Sequence, residues 1–271
     1  MSDFLDQMVA SGRRRADQLT ADRLENLAEI AHRAPGPIGI KASSHRFDVI
    51  AEAKLRSPAS GRLTPAGDDI QTVVSLARAY EAGGAAAISV LTEPSRFDGD
   101  LSHLSAVADA VSVPVMRKDF LVDPAQLVES RAHGASGVLL IARILGPRLI
   151  TRMIEQAREM GMFALIELFG PEDLEIVNSA RGSVELLGVN ARDLSDLSVR
   201  YDRLESMARV LPADVPWVAE SGLTTPEDAA DVARLGYGYA LVGTGLASSA
   251  DPTSLLRDMI AAGRAAREGD S

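Results

Sequence analysis

Six of the eight short apolar runs in this chain end in residues that an apolar run has no need of. The first, Asp48-Val49-Ile50-Ala51-Glu52, carries Glu52 and then Lys54, two positions apart, so on extended backbone their side chains share a face. The third, Val113-Pro114-Val115-Met116, leads through Arg117 to Lys118, and the fifth, Phe163-Ala164-Leu165-Ile166, stops at Glu167. The sixth closes on Asn190, with Arg192 two residues on. The seventh runs into Glu220-Ser221-Gly222 and the eighth into Gly243-Thr244-Gly245. Ammonium groups beside carboxylates are the parts of general acid and base catalysis. An amide and a guanidinium add donors for a carboxylate or an oxyanion, and glycines after a strand let backbone N–H groups close on a phosphate. A buried structural ion pair would account for Glu52 and Lys54 alone, a solvated rim for Arg192 alone, and turn formation for the glycines alone. None of these accounts for the set.

For such side chains to meet, their strands must lie side by side and point the same way. Taking Lys54, Thr92, Lys118, Ile141, Glu167, Asn190, Glu220 and Gly243 as strand ends, the spacing averages 27 residues. Each gap holds an amphipathic helical stretch, such as Pro226 to Leu235 with Gly236 as its stop. Near-continuous apolar strands alternating with helices imply a parallel sheet covered on its outer face, and eight such units predict a (βα)₈ TIM barrel, an α/β fold. A doubly wound sheet is the alternative, but Glu52-Ala53-Lys54-Leu55-Arg56-Ser57-Pro58 stands where its Gly-rich fingerprint would follow the first strand. In a barrel the polar strand ends gather at the C-terminal mouth, and the loops after the seventh and eighth strands are the common phosphate site. Ahead of the barrel, residues 1 to 33 read as helix with two apolar stripes, one around Phe4, Leu5, Met8 and Val9 and one around Leu19, Leu24, Leu27 and Ile30. Pro35-Gly36-Pro37 ends that stretch.

Composition narrows the chemistry. The 271 residues, 46% hydrophobic and 24% charged, suit a single domain over 1–271, with 1–45 as an N-terminal helical extension and 264–271 as a polar tail. With no cysteine there are no disulfides, thiolate metal sites or cysteine nucleophile, which suits a reducing, cytoplasmic setting. The four histidines, His32, His45, His103 and His133, lack the spacing of a metal-binding helix, so no metal is expected. A net charge of −10 disfavours nucleic acid and anionic lipid as partners. No signal-type apolar stretch or membrane-length run occurs, so no membrane association is expected. The single tryptophan, Trp217, lies within the seventh run and reads as core. The oligomeric state is not legible.

Five stretches together resemble a known family. Ile50 to Pro58, Ile88-Ser89-Val90-Leu91-Thr92-Glu93, Arg117-Lys118-Asp119-Phe120 with Asp123-Pro124, Gly188-Val189-Asn190-Ala191-Arg192-Asp193-Leu194, and Val218-Ala219-Glu220-Ser221-Gly222 resemble indole-3-glycerol phosphate synthase, in order and at fitting distances. The likeness runs from the N-terminal helix to about residue 262. It implies a barrel with an extra N-terminal helical segment, no metal or organic cofactor, and a place in tryptophan biosynthesis. The implied reaction is conversion of 1-(2-carboxyphenylamino)-1-deoxyribulose 5-phosphate, by ring closure, loss of CO₂ and loss of water, into indole-3-glycerol phosphate. By the same likeness Lys118 is the acid of ring closure, Lys54 and Glu52 serve the dehydration, and Glu167 orients and stabilises charge or shares in proton transfer. Asn190 and Arg192 fall at the anthranilate end, Ser57, Glu220 and Ser221 on the substrate, Phe97 against its ring, and Gly222, Gly243 and Thr244 on its phosphate.

The apolar Leu168-Phe169-Gly170-Pro171 after Glu167, Leu55 after Lys54, and Thr244 itself depart from the family's usual residues. Two other functions share these features: a phosphoribosyl anthranilate-type isomerase, which ordinarily has no paired lysines, and a non-catalytic phosphate-binding barrel acting as a partner subunit. Lys54 and Lys118 together disfavour the first, and the cost of keeping so many idle charges disfavours the second.

Overall fold

The apolar runs become strands that close on one another. A computed structural model describes residues 3–41, 47–64, 67–178, 180, 184–193 and 196–268. His45, Leu194, residues 42–45 of the expected extension and residues 269–271 of the expected tail lie outside them. The chain begins with α1 (Asp3–Ala16) and α2 (Ala21–Arg33), then β1 (Asp48–Ala53) and a small antiparallel hairpin, β2 (Arg56–Ser57) with β3 (Gly61–Arg62). Next come α3 (Asp69–Gly83), β4 (Ala87–Leu91), α4 (Pro94–Phe97), α5 (Leu101–Ala110), β5 (Val115–Lys118), α6 (Ala125–Ala132) and β6 (Gly137–Ile141). They are followed by α7 (Ala142–Glu159), β7 (Phe163–Leu168), α8 (Glu172–Val177), β8 (Leu186–Asn190), α9 (Tyr201–Ala208) and β9 (Trp217–Glu220). The chain ends with α10 (Pro226–Arg234), β10 (Tyr239–Val242), α11 (Thr244–Ala247) and α12 (Pro252–Glu268). Eight strands pair in parallel in the order β1-β10-β9-β8-β7-β6-β5-β4 and back to β1. This closed barrel excludes the doubly wound sheet.

Alternation along each strand sorts the core into two layers. Val49, Ala51, Ile88, Val90, Val138, Leu140 and Ile166 point outward under the helices. Ile50, Met116, Leu139, Phe163, Leu165, Leu186, Val218, Tyr239 and Leu241 fill the barrel. At its floor the Phe163 ring occupies the room that a side chain at Gly137 would need. Parallel register then brings the polar strand ends to one rim: Glu52 lies beside Ser89, Leu91 beside Lys118, Glu167 beside Gly188, and Asn190 beside Glu220.

The N-terminal stretch is two helices with a break rather than one run. Thr20 takes extended backbone, and its hydroxyl accepts the Arg23 N–H to cap α2. Leu5 and Met8 of α1 are buried with the inner layer and Phe120, so α1 lies over the barrel mouth. Gly12 permits this approach, since a Cβ there would overlap the Phe120 carbonyl. Further along, Thr225 and Asp228 form a capping box on α10, and Gly236 (φ 102°) stops the chain beyond it. At the other end, the stretch read as a polar tail from Arg264 is helix as far as Glu268. Gly263 packs on the Phe47 ring, and Arg264 donates to the Phe47 carbonyl at 3.1 Å and pairs with Asp48. Those contacts extend the amphipathic helix that the charge run masks. Trp217 packs edge-on against Tyr237 and donates to the Pro212 carbonyl at 2.8 Å, a structural role.

Candidate active site

One cavity of about 330 Å³ opens at the C-terminal mouth. All thirteen residues singled out in the sequence line it: Glu52, Lys54, Ser57, Phe97, Lys118, Glu167, Asn190, Arg192, Glu220, Ser221, Gly222, Gly243 and Thr244. Its charges fall into two groups. At the end of β1, the Nζ of Lys54, one residue past the strand, stands 2.7 Å from Glu52 Oε1. In the same mouth, Lys118 Nζ on β5 donates to Glu220 Oε2 at 2.9 Å and to Glu167 Oε2 at 3.3 Å. Glu52, Glu167 and Glu220 are each at most 3% exposed, so these pairs are largely shielded from solvent.

Burial sets their protonation against pairing. Lys118 is held as an ammonium, its affinity for the proton raised: burial opposes the charge, but Glu220, Glu167 and Glu52 outweigh it. Glu52 is held below the usual carboxylate range, because Lys54, Lys118 and Arg192 overcome its burial. Glu220 goes the other way. Burial, with the Glu167 carboxyl beside it, pushes Glu220 up to about 8 despite Lys118. A carboxyl raised in the folded state binds protons that the unfolded chain has released. Its contribution to stability is therefore full below 4.5, its ordinary value, and is lost as pH rises through about 8. Denaturant titrations from pH 4 to 9 should show wild-type stability falling relative to Glu220→Gln over this window; parallel curves would contradict the assignment.

The remaining walls suit an aromatic substrate bearing anions. Phe97 packs on Phe120 (centroids 6.4 Å apart), and Phe120 meets Phe4 of α1 edge-on at 6.2 Å. Phe4 and Phe120 also line the cavity. On the β8 side, the Arg192 backbone N–H donates to Asn190 Oδ1 at 2.9 Å, and Arg192 Nη1 donates to the Leu197 carbonyl at 2.6 Å. Arg203 of α9 donates to the carbonyls of Asn190 (2.7 Å) and Arg192 (3.1 Å), fixing both residues from behind. After β9, Ser221 and Gly222 both adopt positive φ (72° and 85°), an arrangement that costs a non-glycine residue energy and is found at functional turns. The apolar loop after β7 is held from outside the cavity: Arg143 lies 4.6 Å over the Phe169 ring and binds Asp173, which accepts the Phe169 N–H at 2.7 Å.

Gly243 has a second use beyond the one its place in the sequence suggests. A Cβ there would stand under 3.0 Å from both Glu52 Oε1 and Lys54 Nζ, so the missing side chain makes room for the β1 ion pair. Gly243→Asp should therefore split that pair, lowering kcat/KM by about 10²-fold. Steady-state kinetics with unchanged kcat and KM would contradict this. Among the described residues, no group of three or more His, Cys, Asp or Glu is arranged to hold a metal ion, and no helix is long and apolar enough to cross a membrane.

A closed parallel barrel with acid and base groups converging at its C-terminal mouth defines a (βα)₈-barrel enzyme. The fold is shared with thiamine phosphate pyrophosphorylase from Pyrococcus furiosus, at a TM-score of 0.59 and 15% identity over 82% of this chain and 98% of that one. The sequence profile described as indole-3-glycerol phosphate synthase matches residues 9–259. The chain is 43% identical over 242 residues to the indole-3-glycerol phosphate synthase of Mycolicibacterium vanbaalenii, covering 89% of this chain and 87% of that one. It is 42% identical over 254 residues to that of Mycobacterium avium, covering 92% and 91%. The chain belongs to the indole-3-glycerol phosphate synthase family.

Proposed function

We propose that this protein converts 1-(2-carboxyphenylamino)-1-deoxyribulose 5-phosphate into indole-3-glycerol phosphate, in tryptophan biosynthesis. The observation that carries the proposal is that one aromatic-walled cavity holds two lysine–carboxylate groups, Glu52 with Lys54 and Lys118 with Glu167 and Glu220. The reaction needs two acid–base events at different atoms, and the cavity offers one group for each.

In the first event, the ring carbon bearing the carboxylate attacks the ketone and a C–C bond forms. The ketone oxygen becomes an alkoxide and must be protonated. Lys118 has three N–H donors, two of them on Glu220 and Glu167, which leaves one for that oxygen. Loss of CO₂ then returns the bonding electrons to the ring. In the second event, Lys54 protonates the departing hydroxyl and Glu52 takes the proton lost with it, with Glu167 sharing charge stabilisation. Asn190 and Arg192 take the anthranilate carboxylate, Phe97 covers the ring, and Ser57 and Ser221 complete the substrate contacts. Gly222, Gly243 and Thr244 face the phosphate. The helices α1 and α2 form an N-terminal extension to a single barrel domain, and Phe4 of α1 lines one side of the site.

Two pure substrates separate this function from an isomerase. The enzyme should turn over the carboxyphenylamino-deoxyribulose phosphate to a fluorescent indole and leave phosphoribosyl anthranilate untouched. Rearrangement of the latter without indole formation would overturn the proposal.

A further inference from the structure

The two carboxylates on Lys118 come from β7 and β9, which flank β8 on either side. For both to converge on one ammonium across the barrel, the inward position of β8 between them must be nearly empty. Residue 188, paired in register with Glu167, holds that position and is glycine. A Cβ there would stand under 3.0 Å from Glu220 Oε1, 3.2 Å from Glu220 Cδ and 3.1 Å from Leu165 Cδ1. Its φ is not positive, so no backbone demand explains the glycine. Glu220 Oε1 is buried and has no hydrogen-bond partner, so the space at Gly188 and the bond from Lys118 to Oε2 define where this carboxyl rests.

We propose that Gly188 is a positioning residue: its missing side chain seats the Glu220 carboxyl and so sets where Lys118 presents its proton. Gly243 plays the corresponding part beneath Glu52 and Lys54. The proposal rests on Lys118 being the acid of ring closure.

A double-mutant cycle between Gly188→Ala and Glu220→Ala tests it, read as kcat, KM and thermal midpoint. In the wild-type background, Gly188→Ala should lower kcat by about 100-fold with little change in KM, the effect of a displacement on the order of 1 Å at a catalytic group. In the Glu220→Ala background the space is vacant, and the same methyl should change neither kcat nor midpoint further. Equal losses in both backgrounds would show mere crowding of Leu165 and would overturn the proposal, as would an unchanged kcat in Gly188→Ala. If Gly188→Ala alone does not fold, recovery of folding in the double variant supports the proposal, and no recovery refutes it. The midpoints are read without substrate. Failure of the ring-closure function would appear as absent wild-type turnover, and failure of this proposal as an additive cycle.

Discussion

Lys118→Ala should lower kcat by roughly 10²–10⁴-fold, the range of a positioned general acid, while the substrate still binds. In the proposed reaction Lys118 protonates the ketone oxygen, and among the described residues the other lysine lining the cavity, Lys54, is engaged with Glu52. The rim proposed to face the phosphate and the aromatic wall of Phe97 and Phe120 do not depend on Lys118, so binding energy should survive while transition-state stabilisation is lost. Single-turnover kinetics combined with equilibrium binding separate the two. Turnover within a few-fold of wild type would remove Lys118 from its role. Weakened binding with kcat retained would make it a binding group instead.

Asp119→Asn should lower folding stability by about 3 kcal/mol, the cost of breaking a buried ion-pair network. Arg117 is fully buried with its side chain outside the barrel, donating to Asp119 and Glu129 at 3.0 Å each and to Thr92 and Ser130. Asp119 also accepts both ends of the Arg15 guanidinium, at 2.6 and 2.7 Å, and the Thr92 hydroxyl at 2.6 Å. An amide keeps the shape but removes the charge that two guanidiniums face. Arg117 and Arg15 hold the Asp119 carboxyl well below its ordinary value despite burial. A depressed carboxyl contributes stability that is present above its unfolded value, 3.8, and lost as pH falls below it. The stability gap between wild type and variant should thus be full at neutral pH and shrink in acid. Because Asp119 adjoins Lys118 and anchors α1, kcat should fall too, by less than in Lys118→Ala. Urea unfolding at pH 7 and pH 3 checks this, and equal stabilities at pH 7 would contradict it.

The barrel was legible because each buried parallel strand leaves an apolar run, and because a polar residue ending such a run stands out against it. Lys118, Glu167, Asn190 and Glu220 each announce a strand end in this way, and the observed strands stop at or within one residue of them. Other parts of the site leave no local trace. Arg15 meets Asp119 across 104 residues, and Phe4 closes the mouth from a helix whose apolar stripe reads as ordinary core. Arg203 acts on carbonyls, which carry no residue-type signal. The glycines at 188 and 243 show their purpose only when the neighbouring carboxylates are in place, since turn formation and phosphate approach predict the same residue type. The break at Thr20 was obscured because apolar residues continue past it on both sides, although a threonine ahead of Ala21-Asp22-Arg23 is a recognisable cap.

The most direct test of the central claim is a stoichiometric one. The purified protein is mixed with the carboxyphenylamino-deoxyribulose phosphate carrying a labelled carboxyl group, and labelled CO₂ and indole fluorescence are followed together. One CO₂ released per indole formed is the predicted result. Substrate that binds but yields neither, or CO₂ that appears without indole, would contradict the ring-closing decarboxylation assigned to this site.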